Sequence, residues 1–575
     1  MNLMELQGKI NKSKLDALLV VKGNCFIGQD ILDDENEVFN LTGFSGSKGM
    51  LLVFSDKAYL FVDGRYDIQA RKEVDLSKVE VIVGKRADFN AFVKEKVKEK
   101  KKLRIGFNPW CHTIKEVIDF REFSESLGPK LLFEKSDLCE MKLNKKEPLV
   151  FEHTLEFSGQ PRVEKIGMIA EYAKDIGADA FFVSAADSVS WLLNVRSDLL
   201  KDTPIVRAMA LVDASGEVKV FCDNIDYKLK FEEKVSLFSL SDIDAELAKY
   251  KKKTVAMCFY ATPQKIADVF EKNRIEYFSN IDPCQKAKAQ KNPAELQGMK
   301  DAHLRDGVSV VKFLYWLENN YEGQSEMDVV DVLYDLRKNN DNFFSNSFET
   351  IAGFGEHGAI VHYCSNHKTN KKLSKGGVLL LDSGAQYLDG TTDITRTIAI
   401  GDDIDYEIKE SYTQVLKAHI ALADTVFVCK TSGLKLDIIA RKELWRCGKD
   451  YNHGTGHGVG HFMNVHEGPI SISSNGTQYG FAENMVTSIE PGYYKEGEYG
   501  IRLENLYYTE MLETGNFRFV SLTLAPFDKK LIVKELLNGD EIKWINEYHD
   551  RVFASLVKSL EDNEKDWLKD QCSKL

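Results

Sequence analysis

A succession of apolar runs that occurs twice in the N-terminal half most constrains how this chain can fold. Asp16-Ala-Leu-Leu-Val20 resembles Asp179-Ala-Phe-Phe-Val183, each a short apolar run of the kind that forms a buried strand. Phe39-Asn-Leu-Thr-Gly-Phe44 follows the first and Trp191-Leu-Leu-Asn-Val-Arg196 the second. A second strand comes next in each copy, Met50-Leu-Leu-Val-Phe54 or Met209-Ala-Leu-Val-Asp213. After a turn at Ser55-Asp56 or Ser215-Gly216, a third follows at Tyr59-Leu-Phe-Val62 or Val218-Lys-Val-Phe221. Helical segments such as 163–176 alternate with these strands, so the half reads as two related α/β domains of about 130 to 160 residues. The period is too long and the copies too few for a solenoid.

At 575 residues the chain exceeds what one hydrophobic core usually supports. The polar, proline-punctuated stretch from Asn144 to Pro161 places one boundary near residue 160, and Asp282-Pro283 places another. The expected domains are therefore 1–160, 161–283 and 284–575. The third opens with helical periodicity at Leu296, Met299, His303, Val308, Val311, Leu314 and Leu317.

Composition excludes several functions. With 76 basic against 89 acidic residues and a formal charge of −13, the chain has no stripe for nucleic-acid phosphates. The Lys94–Lys102 run interleaves Glu at helical spacing and reads as a solvated helix face. The ten cysteines form no CxxC pair and read as thiols of a reducing compartment. The apolar run 15–21 falls far below the roughly 20 residues of a membrane span. A cytoplasmic location is expected. Ser573-Lys574-Leu575 offers a peroxisomal alternative in a cell that reads this address.

Chemistry gathers in the C-terminal third. Four of the twelve histidines, His453, His457, His461 and His466, fall in one glycine-rich run. Imidazole is both the commonest metal ligand and the group that titrates near neutrality. The run follows no clear strand and lacks a Walker lysine, so it is not read as a phosphate loop. Val378-Leu-Leu-Leu-Asp382 is an apolar strand ending in an acid. After the Asp389-Gly390 turn, 391–400 alternates with Asp393, Thr395 and Thr397 on one face. Two antiparallel strands would present Asp382 and Asp393 to one cavity. Val486-Thr-Ser-Ile-Glu490 ends in a further acid, and Gly500-Ile-Arg-Leu-Glu504 puts Arg502 and Glu504 on one face. Singly, such an acid is a turn former and Arg502 beside Glu504 a surface pair. Four acids at strand ends in apolar surroundings, together with the histidines, point to metal.

At these residues the chain resembles the pita-bread metallopeptidases, and within them the long, three-domain aminopeptidase P (Xaa-Pro aminopeptidase) family. The likeness extends over nearly the whole chain, through 521–526 and 544–549. It implies two related N-terminal α/β domains followed by a C-terminal pita-bread domain. It also implies metal ligands at Asp382, Asp393, His457, Glu490 and Glu504, with Asp393 and Glu504 bridging two divalent ions. Oxygen-rich donors favour Mn²⁺ over zinc.

The resemblance further implies substrate-site histidines at His362, His453 and His466, an outer-sphere arginine at Arg502, and a proton relay at Glu490. A hydroxide held between the ions would attack the X-Pro bond, with His362 and His466 donating to the carbonyl and His453 holding the peptide beyond proline. Expected partners are peptides with proline second and a second copy of the chain, with neither nucleic acid nor membrane. His357 and His461 lie outside the family's set and are expected to be neighbours.

Overall fold

In the computed structural model, which describes residues 1–28, 31–143, 146–222, 231 and 234–575, both copies of the repeated runs are strands. They lie at Ala17–Val21, Met50–Phe54 and Ala58–Val62, and again at Ala180–Val183, Met209–Asp213 and Val218–Phe221. Each trio sits within a six-stranded sheet. The first sheet runs 79–83, 58–62, 50–54, 17–21, 103–107, 131–135; the second runs 235–238, 218–221, 209–213, 180–183, 254–257, 276–279. In both, the successive pairings are parallel, antiparallel, antiparallel, parallel and parallel. Ala58–Val62 and Ala180–Val183 are buried along their whole length, as unbroken apolar strands under helices must be. The Arg86–Lys100 helix buries Phe89, Val93 and Val97 against the first sheet while Lys94, Lys98 and Lys100 stay exposed.

The chain divides into two compact units, and both sheets belong to the first. That unit comprises Met1–Glu152, Gln160–Leu200 and Ile205–Cys284; the second comprises His153–Gly159, Lys201–Pro204 and Gln285–Leu575. Within the first unit the copies join through the segments that follow strands 103–107 and 254–257. The backbone of Ile114 donates to Thr262 O and that of Gln264 to His112 O, at 2.9 and 2.8 Å. Lys115 donates to Phe259 O and Lys265 to Pro109 O, both at 3.0 Å. Every bond of one copy is returned by the equivalent bond of the other, with Thr113 and Pro263 paired between them. This is the self-complementary pattern of a twofold contact, made here inside one chain.

The second unit opens with the helix Pro293–Asn320, started by an Asn292/Glu295 capping box with proline in its first turn. Met299, His303, Val311, Leu314 and Leu317 of the expected stripe are buried, while Leu296 and Val308 are half-buried. Two sheets and a ribbon then build the site. A three-stranded sheet comprises Ile351–Phe354, Gly377–Ser383 and Ile394–Ile400. A six-stranded sheet runs 427–428, 516–521, 505–511, 486–489, 456–458, 467–472, and a ribbon pairs Gly492–Lys495 with Tyr499–Arg502. Helices Tyr406–Ala423, Gly433–Trp445 and Gly539–Leu556 bury Tyr412, Leu436, Leu444 and Val552 in one core with Tyr507 and Phe527. The architecture is mixed α/β, as expected. All ten cysteines are free thiols. Among the described residues no helix is long and apolar enough to cross a membrane.

Candidate metal centre

The Gly377–Ser383 and Ile394–Ile400 strands pair antiparallel with Asp382 opposite Thr395, which brings Asp393, one residue ahead of its strand, beside Asp382. Asp382, Asp393 and Glu504 are 8, 4 and 2% exposed. The Glu504 backbone donates to Thr395 O at 3.1 Å, and Thr395 Oγ1 donates to Glu504 Oε2 at 2.7 Å. The expected face is thus a working one: Thr395 and Thr397 both meet the Arg502 segment, Thr397 Oγ1 donating to Arg502 O. On the opposite face Arg396 donates to Glu504 O at 2.7 Å and to Asn505 Oδ1 at 2.8 Å, fixing the backbone that carries the acid.

His457 departs from the loop expected of its glycine-rich surroundings. Gly456–Gly458 is a short strand between 467–472 and 486–489. A Cβ at Gly456 would fall 2.0 Å from Ser488 O, and one at Gly458 2.2 Å from Glu467 O, so only glycine lets the three strands approach. His457 Nδ1 donates to Gly458 O at 2.9 Å, which leaves the Nε2 lone pair facing the acids. Nε2 lies 3.5 Å from Asp393 Oδ2 and 3.4 Å from Glu490 Oε1. Ser488 Oγ accepts from His457 N and donates to Glu490 Oε1 at 3.1 Å, aligning the two.

The remaining expected residues fall around this cluster. Arg502 donates from Nη2 to Asp382 Oδ2 at 2.6 Å, from Nε to Thr395 Oγ1 at 3.2 Å, and from Nη1 to Tyr494 OH at 2.7 Å. Tyr494 OH in turn donates to His453 Nε2 at 2.8 Å, while His453 Nδ1 donates to Gly454 O. Both nitrogens of His453 are therefore engaged within the protein, and its side chain is 6% exposed. His466 is exposed, its ring 4.3 Å from that of His457. His362 is half-buried and close enough to His453 for its charge to act there. His357 donates to Glu326 and stacks on Tyr363, and His461 lies 5.5 Å from the His153 ring, so neither joins the acid cluster. Tyr494 escaped the sequence reading. The signal for it was position: in Glu490-Pro-Gly-Tyr-Tyr494 it lies on the strand that pairs with Arg502's own.

Electrostatics test whether these groups suit a cation. Burial, then Asp382 and Glu490, hold the Asp393 carboxyl well above its usual range. Burial, then Asp393, does the same for Glu504. Burial raises Glu490 against the opposing pull of His457 and Arg502. His453 is pushed well down by burial and by Arg502, so its imidazole is neutral. Asp393, Glu490 and Glu504 are thus all held back from ionising in one another's company, the state that a bound cation relieves. Asp382 Oδ1 and Asp393 Oδ1 are moreover buried without a hydrogen-bond partner, an arrangement that is costly unless a cation completes it. Asp393, His457 and Glu504 each bring a ligand atom within 4.8 Å of the others, close enough to share one ion. A cavity of about 210 Å³ lies elsewhere, against Arg396, Ile398 and Trp567, with none of these acids in its wall.

Comparison with known proteins agrees with this geometry. Residues 297–510 match metallopeptidase family M24 and 515–575 its C-terminal region. Residues 3–131 and 141–295 each match a creatinase/prolidase N-terminal domain. Aminopeptidase P1 of Arabidopsis thaliana is 31% identical, with 96% of both chains covered. Xaa-Pro aminopeptidase 1 of Dictyostelium discoideum is 34% identical over 93% of this chain and 90% of its own. The fold superposes with a TM-score of 0.92, at 30% identity and over 100% of both chains, on X-prolyl aminopeptidase from Caenorhabditis elegans, a cytosolic enzyme with a di-nuclear active site. A prolidase from Thermococcus sibiricus, at 24% identity and TM-score 0.52, shares the fold over 64% of this chain. The chain is therefore an enzyme of metallopeptidase family M24, belonging to its aminopeptidase P (Xaa-Pro aminopeptidase) branch.

Proposed function

We propose that this chain releases the N-terminal residue from peptides with proline in second place, using two divalent cations held by Asp382, Asp393, His457, Glu490 and Glu504. The observation that carries this reading is the meeting of Asp393, Glu490 and Glu504 with His457, Asp382 acting on Asp393 beside them, and one buried oxygen each of Asp382 and Asp393 left without a hydrogen-bond partner. Asp393 and Glu504 would be shared between the ions, Asp382 would complete one position, and His457 with Glu490 the other. So oxygen-rich a donor set favours Mn²⁺. The cations, when bound, make a water acidic enough to yield hydroxide near neutral pH and polarise the scissile carbonyl.

The chain's own residues do the rest. Glu490 accepts the proton of the attacking water and passes it toward the leaving proline nitrogen, which has no N–H of its own. His362 and His466 donate hydrogen bonds where negative charge develops on the carbonyl oxygen. Arg502 orients Asp382 through the bond from its Nη2 to Oδ2. His453 holds the peptide beyond proline, and its neutral ring also anchors Tyr494 and, through it, Arg502. The free α-amine of the substrate would meet the cations or Asp382, which limits cleavage to one residue.

The same reading places the protein in the cytoplasm as a homodimer of chains divided at residues 160 and 283. Peroxisomal import is the alternative wherever Ser573-Lys574-Leu575 is read. Hydrolysis of an Arg-Pro-Pro tripeptide against a Gly-Pro dipeptide tests the activity. Faster release of Arg from the tripeptide is expected; preference for the dipeptide would make the enzyme a prolidase.

A further inference from the structure

Lys288 and Lys291, in the segment leading into the Pro293–Asn320 helix, have side chains only 1% exposed, and both face the carboxylate of Glu467, itself 2% exposed. Lys291 Nζ donates to Glu467 Oε1 at 2.6 Å and to Lys288 O at 3.0 Å, and Lys288 Nζ lies 3.0 Å from Glu467 Oε2. The backbone around them is pinned as well. Lys291 N donates to Asn484 O at 3.1 Å, and Gln290 pairs with Met485, immediately before the 486–489 strand that leads into Glu490. Taking three charges out of water costs several kcal/mol apiece before pairing recovers it, and apolar residues would fill the same space with less penalty. The arrangement therefore calls for a purpose beyond packing.

Its place in the fold supplies one. Glu467 opens the Glu467–Ile472 strand and pairs with Gly458, next to His457. Glu467, the first residue of that strand, is buried, while His466, in the bend immediately before it, is exposed. His466 is exposed, with its ring 4.3 Å from the His457 ring at an interplanar angle of 66°. Whatever its side-chain contacts, the reach of the His466 ring is set by where the backbone that carries it is held. That backbone is fixed one residue later by two ammonium groups gripping a single carboxylate.

We propose that the Lys288–Glu467–Lys291 clamp is a positioning device for His466, holding the imidazole where it can donate to the reacting carbonyl. The inference rests on the peptidase reading above. In Glu467→Gln the shape is kept, but an amide N–H is turned toward one of the ammonium groups; in Lys291→Met the shorter bond is removed outright.

Two measurements on the full-length protein test it. The first is kcat and KM for Arg-Pro-Pro together with metal content, with and without Glu467→Gln, in wild-type and His466→Ala backgrounds. The proposal expects kcat to fall roughly 10- to 100-fold with KM and metal content held, and the same change to have almost no effect once His466 is absent. An equal loss in both backgrounds, or loss of metal along with activity, overturns it. The second is the crystal structure of Lys291→Met, or of Lys288→Met if the former does not fold. It should show His466 displaced from its edge-to-face contact with His457; an unmoved ring overturns the proposal whatever the activity. A wild-type protein inactive on Arg-Pro-Pro would instead defeat the peptidase reading and leave the structural result to decide the clamp.

Discussion

Thr395→Val removes one hydroxyl at nearly constant shape from a residue with no exposed surface. That hydroxyl donates to Glu504 Oε2 at 2.7 Å and accepts from Arg502 Nε at 3.2 Å. Its loss frees a carboxylate oxygen of a proposed bridging ligand and strands a buried guanidinium donor. A hydrogen bond to a charged group contributes about 1.5–3 kcal/mol, and each 1.4 kcal/mol is about a tenfold change in an equilibrium constant. If the whole term falls on the cation-bound form, affinity for Mn²⁺ drops roughly 10- to 150-fold, in line with the 10- to 100-fold typical of residues that orient metal ligands. Calorimetric titration of Mn²⁺ into chelated protein measures it directly. Thr397→Val is the control, because Thr397 bonds only the Arg502 backbone and should leave affinity near wild type. Affinity within twofold of wild type for Thr395→Val would refute the assignment of Thr395 as the group that orients Glu504.

Asp393→Ala should abolish hydrolysis of Arg-Pro-Pro while the protein remains folded by circular dichroism; full activity would sink a mechanism in which this acid is shared between two ions. The metal-free protein should lose stability as pH rises. Burial and mutual repulsion raise the folded-state values of Asp393 and Glu504, so their contribution is complete below the unfolded carboxyl values near about pH 4 and disappears as pH climbs through the raised ones. The melting temperature of chelated protein should fall from pH 5 to pH 8 relative to metal-loaded protein, and parallel pH profiles for the two forms would contradict this. Gly500→Ala should prevent folding of the second unit, since the new Cβ would lie 1.7 Å from Gly358 O in the strand that delivers Arg502; soluble protein with unchanged melting would show that the strands can part.

The acid half of the site was legible because strands announce themselves by alternation. Val378 to Asp382 and 391–400 each carry a polar residue where only a buried apolar one would otherwise fit, and that conflict marks function. The duplicated sheets were legible for the same reason, each copy being three short apolar runs in a fixed order. Three features were hidden. Gly456–Gly458 reads as loop because glycine signals flexibility, whereas here it permits close approach between strands. Tyr494 reads as a packing residue, and only the pairing with the Arg502 strand reveals its hydroxyl as the link to His453. Lys291 lies 176 residues from Glu467 in sequence, and a lysine ahead of a helix ordinarily faces water. The contact between the two sheets of the first unit was also invisible, because it is made largely by backbone groups, which leave no mark on residue identity.

The central claim is that Asp382, Asp393, His457, Glu490 and Glu504 together hold two cations. Anomalous diffraction from crystals grown with Mn²⁺ tests it most directly. Two peaks are predicted per chain, both bounded by Asp393 and Glu504, one reached by Asp382 and the other by His457 and Glu490. A single peak, or manganese bound away from these five residues, would contradict the account.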